Sequence, residues 1–272
     1  MEDGSDRGGN SMRFVTWNIQ RGGGSRLPSI IAELKELGAD VITLTEVTAK
    51  NLAEIRRRLV DHGYPYLETT CDQAGVNSVL VASKWPLTRE SAGPEYDKER
   101  WLSVSLGEKN LRVLSVHIPG SDDSKSGKDG TVVAGKRRKE LFWQDVIAYA
   151  HRHHDEQVVI LGDFNTGLPA DAEGTPFVHS DYIRVLQQQE NYVDTWRSLH
   201  PDAREFTWYS RRTNKELRVS EDHNGFRLDY VFVSAPLRDA ITSAKHIHEV
   251  RRAKISDHSI VVADLALDPS GG

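Results

Sequence analysis

The chain has 272 residues, of which 38% are hydrophobic and 28% charged, and its formal net charge is -5. This supplies apolar material for one large α/β core, shows no apolar run long enough for a membrane span, and is too acidic for a general nucleic-acid coat. It still allows a metal-dependent nuclease, because clustered carboxylates lower the net charge while a local basic rim meets phosphates.

In chain order, "MEDGSDRGGNS" (1–11) is polar and Gly-rich, has no apolar signal-peptide core, and reads as a disordered leader. "MRFVTWNIQ" alternates as a strand that closes near Asn18, and "RGGGSRL" reads as a flexible loop. "PSIIAELKELG" has Pro28 at a helix start, Ile30, Ile31, Leu34 and Leu37 on one face, and Gly38 as the stop. "ADVITLTEV" is a buried strand ending at Glu46, and "NLAEIRRRLVDHG" is a second amphipathic helix. "NSVLVAS" is another strand, and "RWLSVSLGEKNLRVLSVH" a hairpin ending at His117.

A Ser, Asp, Gly and Lys-rich loop of about 15 residues follows, long enough to suspect function. "KRRKELFWQDVIAYAHRHH" is a helix, "QVVILGDFN" a buried strand, "YIRVLQQQE" a helix, and "FTWYS", "LDYVFVS" and "SIVVADL" late strands. The tail 267–272 reads as flexible, and residues 12–266 as a single mixed-sheet α/β domain with no internal linker or repeat. The one cysteine, Cys71, excludes an internal disulfide and points to a reducing, cytoplasmic compartment.

Polar residues collect where strands end. Asn18, Glu46, His117 and the pair Asp163 and Asn165 close strands, Asp229 opens one, and Asp257-His258 precedes the last. Each residue alone is equally well read as turn chemistry or as a satisfied strand end. Together they suggest a shared rim, where sheet enzymes place their sites. Glu46, Asp257 and Asn18 offer hard oxygen donors suited to Mg²⁺, with Mn²⁺ a substitute, and there are no Cys pairs or HExxH for zinc. Asp163 could orient or deprotonate a water, His258 and His117 could bond anionic oxygens, and Asn165 could donate to developing charge. Asp229, between apolar neighbours, needs a partner, and His258 is the obvious one. The basic run Lys125 to Lys139, with Arg211, Arg212, Arg251 and Arg252, is a candidate phosphate-backbone rim or simply a solvated face.

The motifs "TWNIQ", "VITLTEV", "SVHIPG", "LGDFN", "RLDYVFVS" and "ISDHSIVVADL", in this order, resemble the endonuclease/exonuclease/phosphatase superfamily from Met12 to Leu265. Within it the chain is most similar to abasic-site endonucleases of the exonuclease III type, through "YVDTWRSLHPDAREFTWYS" and "NGFRLDYVFVSAPL". The resemblance implies a four-layer α/β sandwich, with two mixed β-sheets packed face to face and helices on the outer faces. It implies a Mg²⁺-dependent phosphodiesterase in DNA repair, an abasic-site endonuclease or 3′-5′ exonuclease, acting as a monomer on duplex DNA and not at a membrane. It further implies a pocket for a baseless sugar formed by Trp208, Phe226, Arg227 and Leu228, where core packing is the alternative.

One departure bears on the substrate: the abasic-site enzymes usually carry tyrosine where this chain has His117, and other superfamily branches carry histidine. A phosphodiesterase or phosphatase acting on a lipid, small-molecule or protein-DNA phosphoester is therefore the competing expectation. A silent binding module is the third, opposed by the presence of Glu46, Asp163 and His258.

Overall fold

Alternating apolar residues make strands that bury one face each, and here both faces of each sheet are covered. The computed structural model describes residues 11–90, 93–94, 96–126, 132–214 and 219–267. The expected leader and tail therefore lie almost wholly outside the described residues. At the edges of the expected domain, Ser11 already pairs with Ala266, and Leu267 packs on the core.

The strands are β1 (Ser11–Asn18), β2 (Val41–Val47), β3 (Tyr66–Thr69), β4 (Ser78–Ser83), β5 (Thr88–Arg89), β6 (Trp101–Leu106), β7 (Leu111–His117), β8 (Lys125–Ser126), β9 (Val132–Val133), β10 (Val158–Asp163), β11 (Val193–Asp194), β12 (Trp208–Asn214), β13 (Val219–Phe226), β14 (Asp229–Val233), β15 (Ile241–Ile247) and β16 (Ile260–Ala266). The helices are α1 (Leu27–Leu37), α2 (Ala49–Asp61), α3 (Gly135–Arg152), α4 (Asp181–Gln188), α5 (Thr195–Leu199) and α6 (Glu249–Arg252).

One six-stranded sheet runs β15-β16-β1-β2-β4-β3, and the other β11-β14-β10-β7-β6-β5. Each centres on one parallel pair, β1 with β2 and β7 with β10, and all other neighbours are antiparallel. The sheets face each other through Phe14, Val41, Val81, Val104, Val113, Leu161 and Val261. The opposite pleat of the first sheet, with Trp17, Leu44 and Leu80, takes Ile30, Leu34, Ile55 and Leu59 of α1 and α2. The second sheet's outer face takes Phe142, Trp143 and Val146 of α3 and Ile183 and Leu186 of α4. This is the expected four-layer α/β sandwich.

Because β1, β2, β7 and β10 are the parallel strands, Asn18, Glu46, His117 and Asp163 all lie at carboxyl ends of central strands. Two local devices aim them. Gly162 has φ 142°, and a side chain there would collide with the Val116 carbonyl of the neighbouring strand, so only glycine can precede Asp163 in this conformation. The register of β2 against β4 slips between Leu44 and Val47, and Glu46 sits in that irregularity with φ 59°.

The segment expected to be a flexible loop is instead a run of left-handed residues, from Gln20 (φ 53°) to Gly24 (φ 52°). It wraps the Glu46 turn, with Gly22 N donating to Glu46 O at 2.7 Å, and any side chain on Gly22 would strike Thr48. Among the described residues, seven strands were not expected from sequence: β13 and β15, which complete the ribbon and one edge of the first sheet, and the short β3, β5, β8, β9 and β11.

Candidate active site

Asn18 is the hinge of the site. Its amide nitrogen donates to Glu46 Oε1 (3.2 Å) and to Asp163 Oδ2 (3.0 Å), joining the two sheets, while its oxygen accepts from Gln20 N (2.9 Å). Asn18 was expected as an oxygen donor to a metal; here its oxygen accepts from the backbone and its nitrogen faces the carboxylates. Glu46 Oε2 accepts from Arg21 N at 2.7 Å, so both its oxygens are oriented. Ser256, bonded through its hydroxyl to Asn18 O (2.6 Å), ties the Asp257-His258 turn to the same strand end.

Asp163, on the second sheet, accepts from Asn165 N at 2.9 Å through Oδ1. Its Oδ2 lies 3.8 Å from His258 Nε2 and 3.7 Å from His117 Nε2. Burial, partly offset by the positive charge of His258 and reinforced by the negative charge of Asp229, pushes Asp163 up to about 7. The Asp229 partnership expected from sequence is present, with His258 Nδ1 and Asp229 Oδ2 2.8 Å apart and both residues buried. Burial would lower the His258 pKa, but Asp229 and then Asp163 outweigh it and raise it to about 10. The imidazole thus stands as a cation between two carboxylates, with Nδ1 held by one and Nε2 facing the other.

His117 is in the opposite state. Burial, followed by the charge of Arg100, pushes its pKa well below the usual histidine value. Its Nε2 lies 3.2 Å from Arg100 Nη1, and a guanidinium can only donate, so Nε2 is the acceptor and the proton sits on Nδ1. Asn165, in a left-handed conformation (φ 46°), gives Nδ2 to Ile118 O at 2.9 Å, leaving one amide hydrogen for a ligand.

Two further residues of this centre were not singled out from the sequence. Arg100 precedes β6 and reaches His117, and the strand-end rule that flagged the other residues could have found it. Lys139 is fully buried, donates to Asn165 O at 2.5 Å, and burial lowers its pKa to about 8. Only its place in a basic run was visible. That run divides: Lys136 and Arg137 are exposed, but Arg138 is buried on Asp97 and Lys139 behind Asn165, while 127–131 lie outside the described residues. Arg211, Arg251, Arg252 and Lys254 do line a cleft of about 540 Å³ with Gln20, Trp208 and Asp257, though Arg251 is paired with Asp222 and Arg252 with Glu249.

The proposed sugar pocket divides. Trp208 is half-buried and joins the Asp257-His258 turn through a backbone bridge to His258. Phe226 and Leu228 are buried in a small cluster with Phe177 and Ala172. Arg227 is a correction: it is 0% exposed, ion-paired at 2.7 Å to both Asp171 and Asp194, and enclosed by Trp196 and Tyr230. Alternation along the chain sends it to the side opposite Phe226 and Leu228, so it cannot reach substrate. Arg227→Ala is expected to cost about 3–5 kcal/mol, because buried Asp194 loses its cation and Asp171 keeps only Arg197, and to leave KM near the original value. Urea unfolding with steady-state kinetics checks this; unchanged stability with a raised KM would restore the substrate contact.

The donor set fits a divalent cation. Glu46 and Asp257 offer hard oxygens, and Asp257 Oδ1 and Asp229 Oδ1 are buried without a hydrogen-bond partner. Asp163, Asp229 and His258 also place one ligand atom each within 4.8 Å of one another.

The two sheets thus meet at Asp163, an imidazole held by Asp229, and carboxylates that could hold a cation. The model of the Endonuclease/Exonuclease/phosphatase family matches residues 15–258, and the chain belongs to that family of divalent-metal-dependent hydrolases. Similar solved structures include the 3′ phosphatase NExo from Neisseria bound to product DNA hairpin, at 19% identity and TM-score 0.76, covering 93% of this chain and 99% of that one. An AP endonuclease from Archaeoglobus fulgidus matches at 22% identity and TM-score 0.74, covering 93% and 98%. The AP endonuclease LMAP from Leishmania major matches at 18% identity and TM-score 0.70, covering 94% and 88%. Among the described residues no helix is long and apolar enough to cross a membrane.

Proposed function

We propose that this chain is a Mg²⁺-dependent DNA phosphodiesterase, with Mn²⁺ as a substitute, that cuts duplex DNA at abasic sites and trims 3′ ends. It would act in the cytoplasm as a monomer, through the single domain 12–266. The observation that carries the reading is the bridge from Trp208 to His258, which sets an aromatic surface directly beside the acid-imidazole pair. An apolar wall next to the reacting phosphate would pack against the deoxyribose face that a missing base leaves uncovered.

Glu46 and Asp257 would hold the ion, with Asn18 fixing Glu46. When bound, the ion supplies positive charge to a phosphate oxygen and to the departing 3′ oxygen. Asp163 Oδ2 takes the proton of the attacking water, and the N–H groups of Asn18 and Asn165 that donate to its two oxygens fix the direction of the carboxylate. His258 Nε2 donates to a phosphate oxygen as charge builds, and Asp229 keeps the ring charged and oriented. Asn165 gives its remaining amide hydrogen to the same charge. His117, neutral and already accepting from Arg100, holds that guanidinium at the phosphate and is not the proton donor to the leaving group.

The rate should follow a bell in pH. Asp163 must be ionised and His258 protonated, so kcat/KM is expected to rise through about 7 and fall through about 10, as apparent values of the coupled pair. A profile flat across the acid limb would remove Asp163 as the base.

The direct test is a duplex oligonucleotide carrying one abasic-site analogue, with and without Mg²⁺, beside an intact duplex and a 3′-recessed duplex. Metal-dependent incision at the analogue is the expected result. Digestion from the 3′ end alone would keep the nuclease and remove the abasic pocket. No action on any DNA by folded protein would favour the second reading, a non-DNA phosphoester, for which His117 with Arg100 in place of the abasic-site enzymes' tyrosine is the supporting observation.

A further inference from the structure

Away from the carboxylates proposed to hold the cation, His246 stands near the end of β15 and His248 just beyond it, at the start of α6. Both turn to Glu205, in the segment that leads into β12. His246 Nδ1 lies 2.9 Å, and His248 Nε2 3.2 Å, from the same oxygen, Glu205 Oε2. One ligand atom from each of the three falls within 4.8 Å of the others. None of these residues takes part in the chemistry described above, and nothing in that chemistry requires two imidazoles on one carboxylate oxygen.

The details suit a metal better than a surface ion pair. The His246 side chain is 0% exposed and stacks on Trp196 at 4.7 Å, so its ring is held in place before any ion arrives. His248 Nδ1 lies 2.9 Å from Ser259 Oγ, an outer contact that leaves Nε2 facing the carboxylate as a potential ligand atom. Glu205 is 42% exposed and gives an ion a way in. Around a four-coordinate Zn²⁺ with bonds of about 2.0–2.2 Å, ligand atoms stand about 3.3 Å apart. Two of the three separations, 2.9 and 3.2 Å, lie within a few tenths of an ångström of that, and the third lies within 4.8 Å.

We propose that Glu205, His246 and His248 form a second metal site that takes a borderline transition ion, Zn²⁺ or Co²⁺, through two nitrogens and one oxygen. Two imidazoles select such ions over Mg²⁺, which prefers all-oxygen surroundings. The fourth position is open to water through the exposed side of Glu205.

The site has a structural consequence for catalysis. Two residues beyond Glu205, Thr207 Oγ1 accepts from Leu228 N (3.0 Å) and Asp229 N (3.2 Å), and Thr207 O accepts from Ser259 N (2.8 Å). Ser259 is also the neighbour of His258. An ion at this site staples β15 to the two segments that carry Trp208 and the His258-Asp229 pair, and acts on the reaction only by stiffening them.

The test uses the full chain, stripped with chelator, desalted and titrated with Co²⁺, whose visible absorption reports nitrogen ligation. One equivalent should bind with a visible band that survives in Glu46→Gln. Affinity should fall by about 10–100-fold in Ser259→Ala and by at least as much in His248→Gln and Glu205→Gln. Zn²⁺ should displace Co²⁺ and raise the unfolding temperature of the parent chain, but not that of His248→Gln. His248 and Glu205 are partly exposed, so these variants are expected to keep the native circular dichroism. A band lost in Glu46→Gln and kept in His248→Gln would overturn the site, as would the absence of Co²⁺ binding by folded protein, which would leave a hydrogen-bonded carboxylate-imidazole cluster and no ion.

Discussion

Asp163→Asn is expected to lower turnover by about 10²–10⁴-fold at saturating substrate and metal, while DNA binding stays near the original value. An amide cannot take a proton from water, and the acid limb of the pH profile should vanish with the carboxylate. The fold should survive. Burial already opposes the Asp163 charge, despite help from His258, and Asp229 repels it.

The sign of the linkage follows from the direction of that shift. A carboxyl raised to about 7 from an unfolded value of about 3.9 binds more protons folded than unfolded, so its contribution to stability declines as pH rises between those values. The variant should therefore melt no lower than the parent at pH 8. The local cost is the contact with Asn18, whose nitrogen would meet a second nitrogen and which cannot turn over without losing Gln20 N. Single-turnover kinetics and calorimetry check both halves. Near-parent turnover would sink the role given to Asp163.

His258→Ala should damage both activity and stability. It removes the group proposed to donate to the phosphate, and turnover should fall by about 10²–10³-fold, as for the loss of one preorganised donor to developing charge. It also strands Asp229, 1% exposed, with neither oxygen paired. Breaking a buried pair in this way costs about 3–5 kcal/mol. In the parent, the His258 contribution is fully present below about 6.5 and is lost as pH rises through about 10, because its folded pKa is raised. The stability gap between parent and variant should therefore narrow in alkali. Adding Asp229→Asn removes the stranded charge, so the double variant should recover most of the lost stability and none of the activity. A double variant as unstable as the single one would mean that His258 is held by packing and not by its charge pair.

Much of this centre was legible in the sequence because its signals are local. Asn18, Glu46, His117 and Asp163 announce themselves as polar residues closing apolar runs, and the pairing of Asp229 with His258 followed from the cost of an unpaired buried carboxylate. Gly162 before Asp163 is a local necessity too, visible as the glycine of "LGDFN" although its reason lies on the neighbouring strand. The two parallel pairs also follow from strand-helix-strand succession. By contrast, β13 and β15 were missed because their exposed, polar outer positions dilute the alternation, and both stand at edges or in a ribbon.

Alone, then, the order of residues determined which side chains stand at strand mouths and which class of chemistry they could serve, because strand and helix periods are written in near neighbours. Only the tertiary structure decided their states and partners. It turned the Asn18 nitrogen to carboxylates 28 and 145 residues away, gave His117 an arginine in place of a free face, and enclosed Arg227 and Arg138 between acids. It also gathered Glu205, His246 and His248 around one oxygen. Charge, tautomer and coordination depend on distances of about 3 Å between residues far apart in the chain, and burial sets their strength. No pattern of neighbours encodes those distances; the packing of two sheets does.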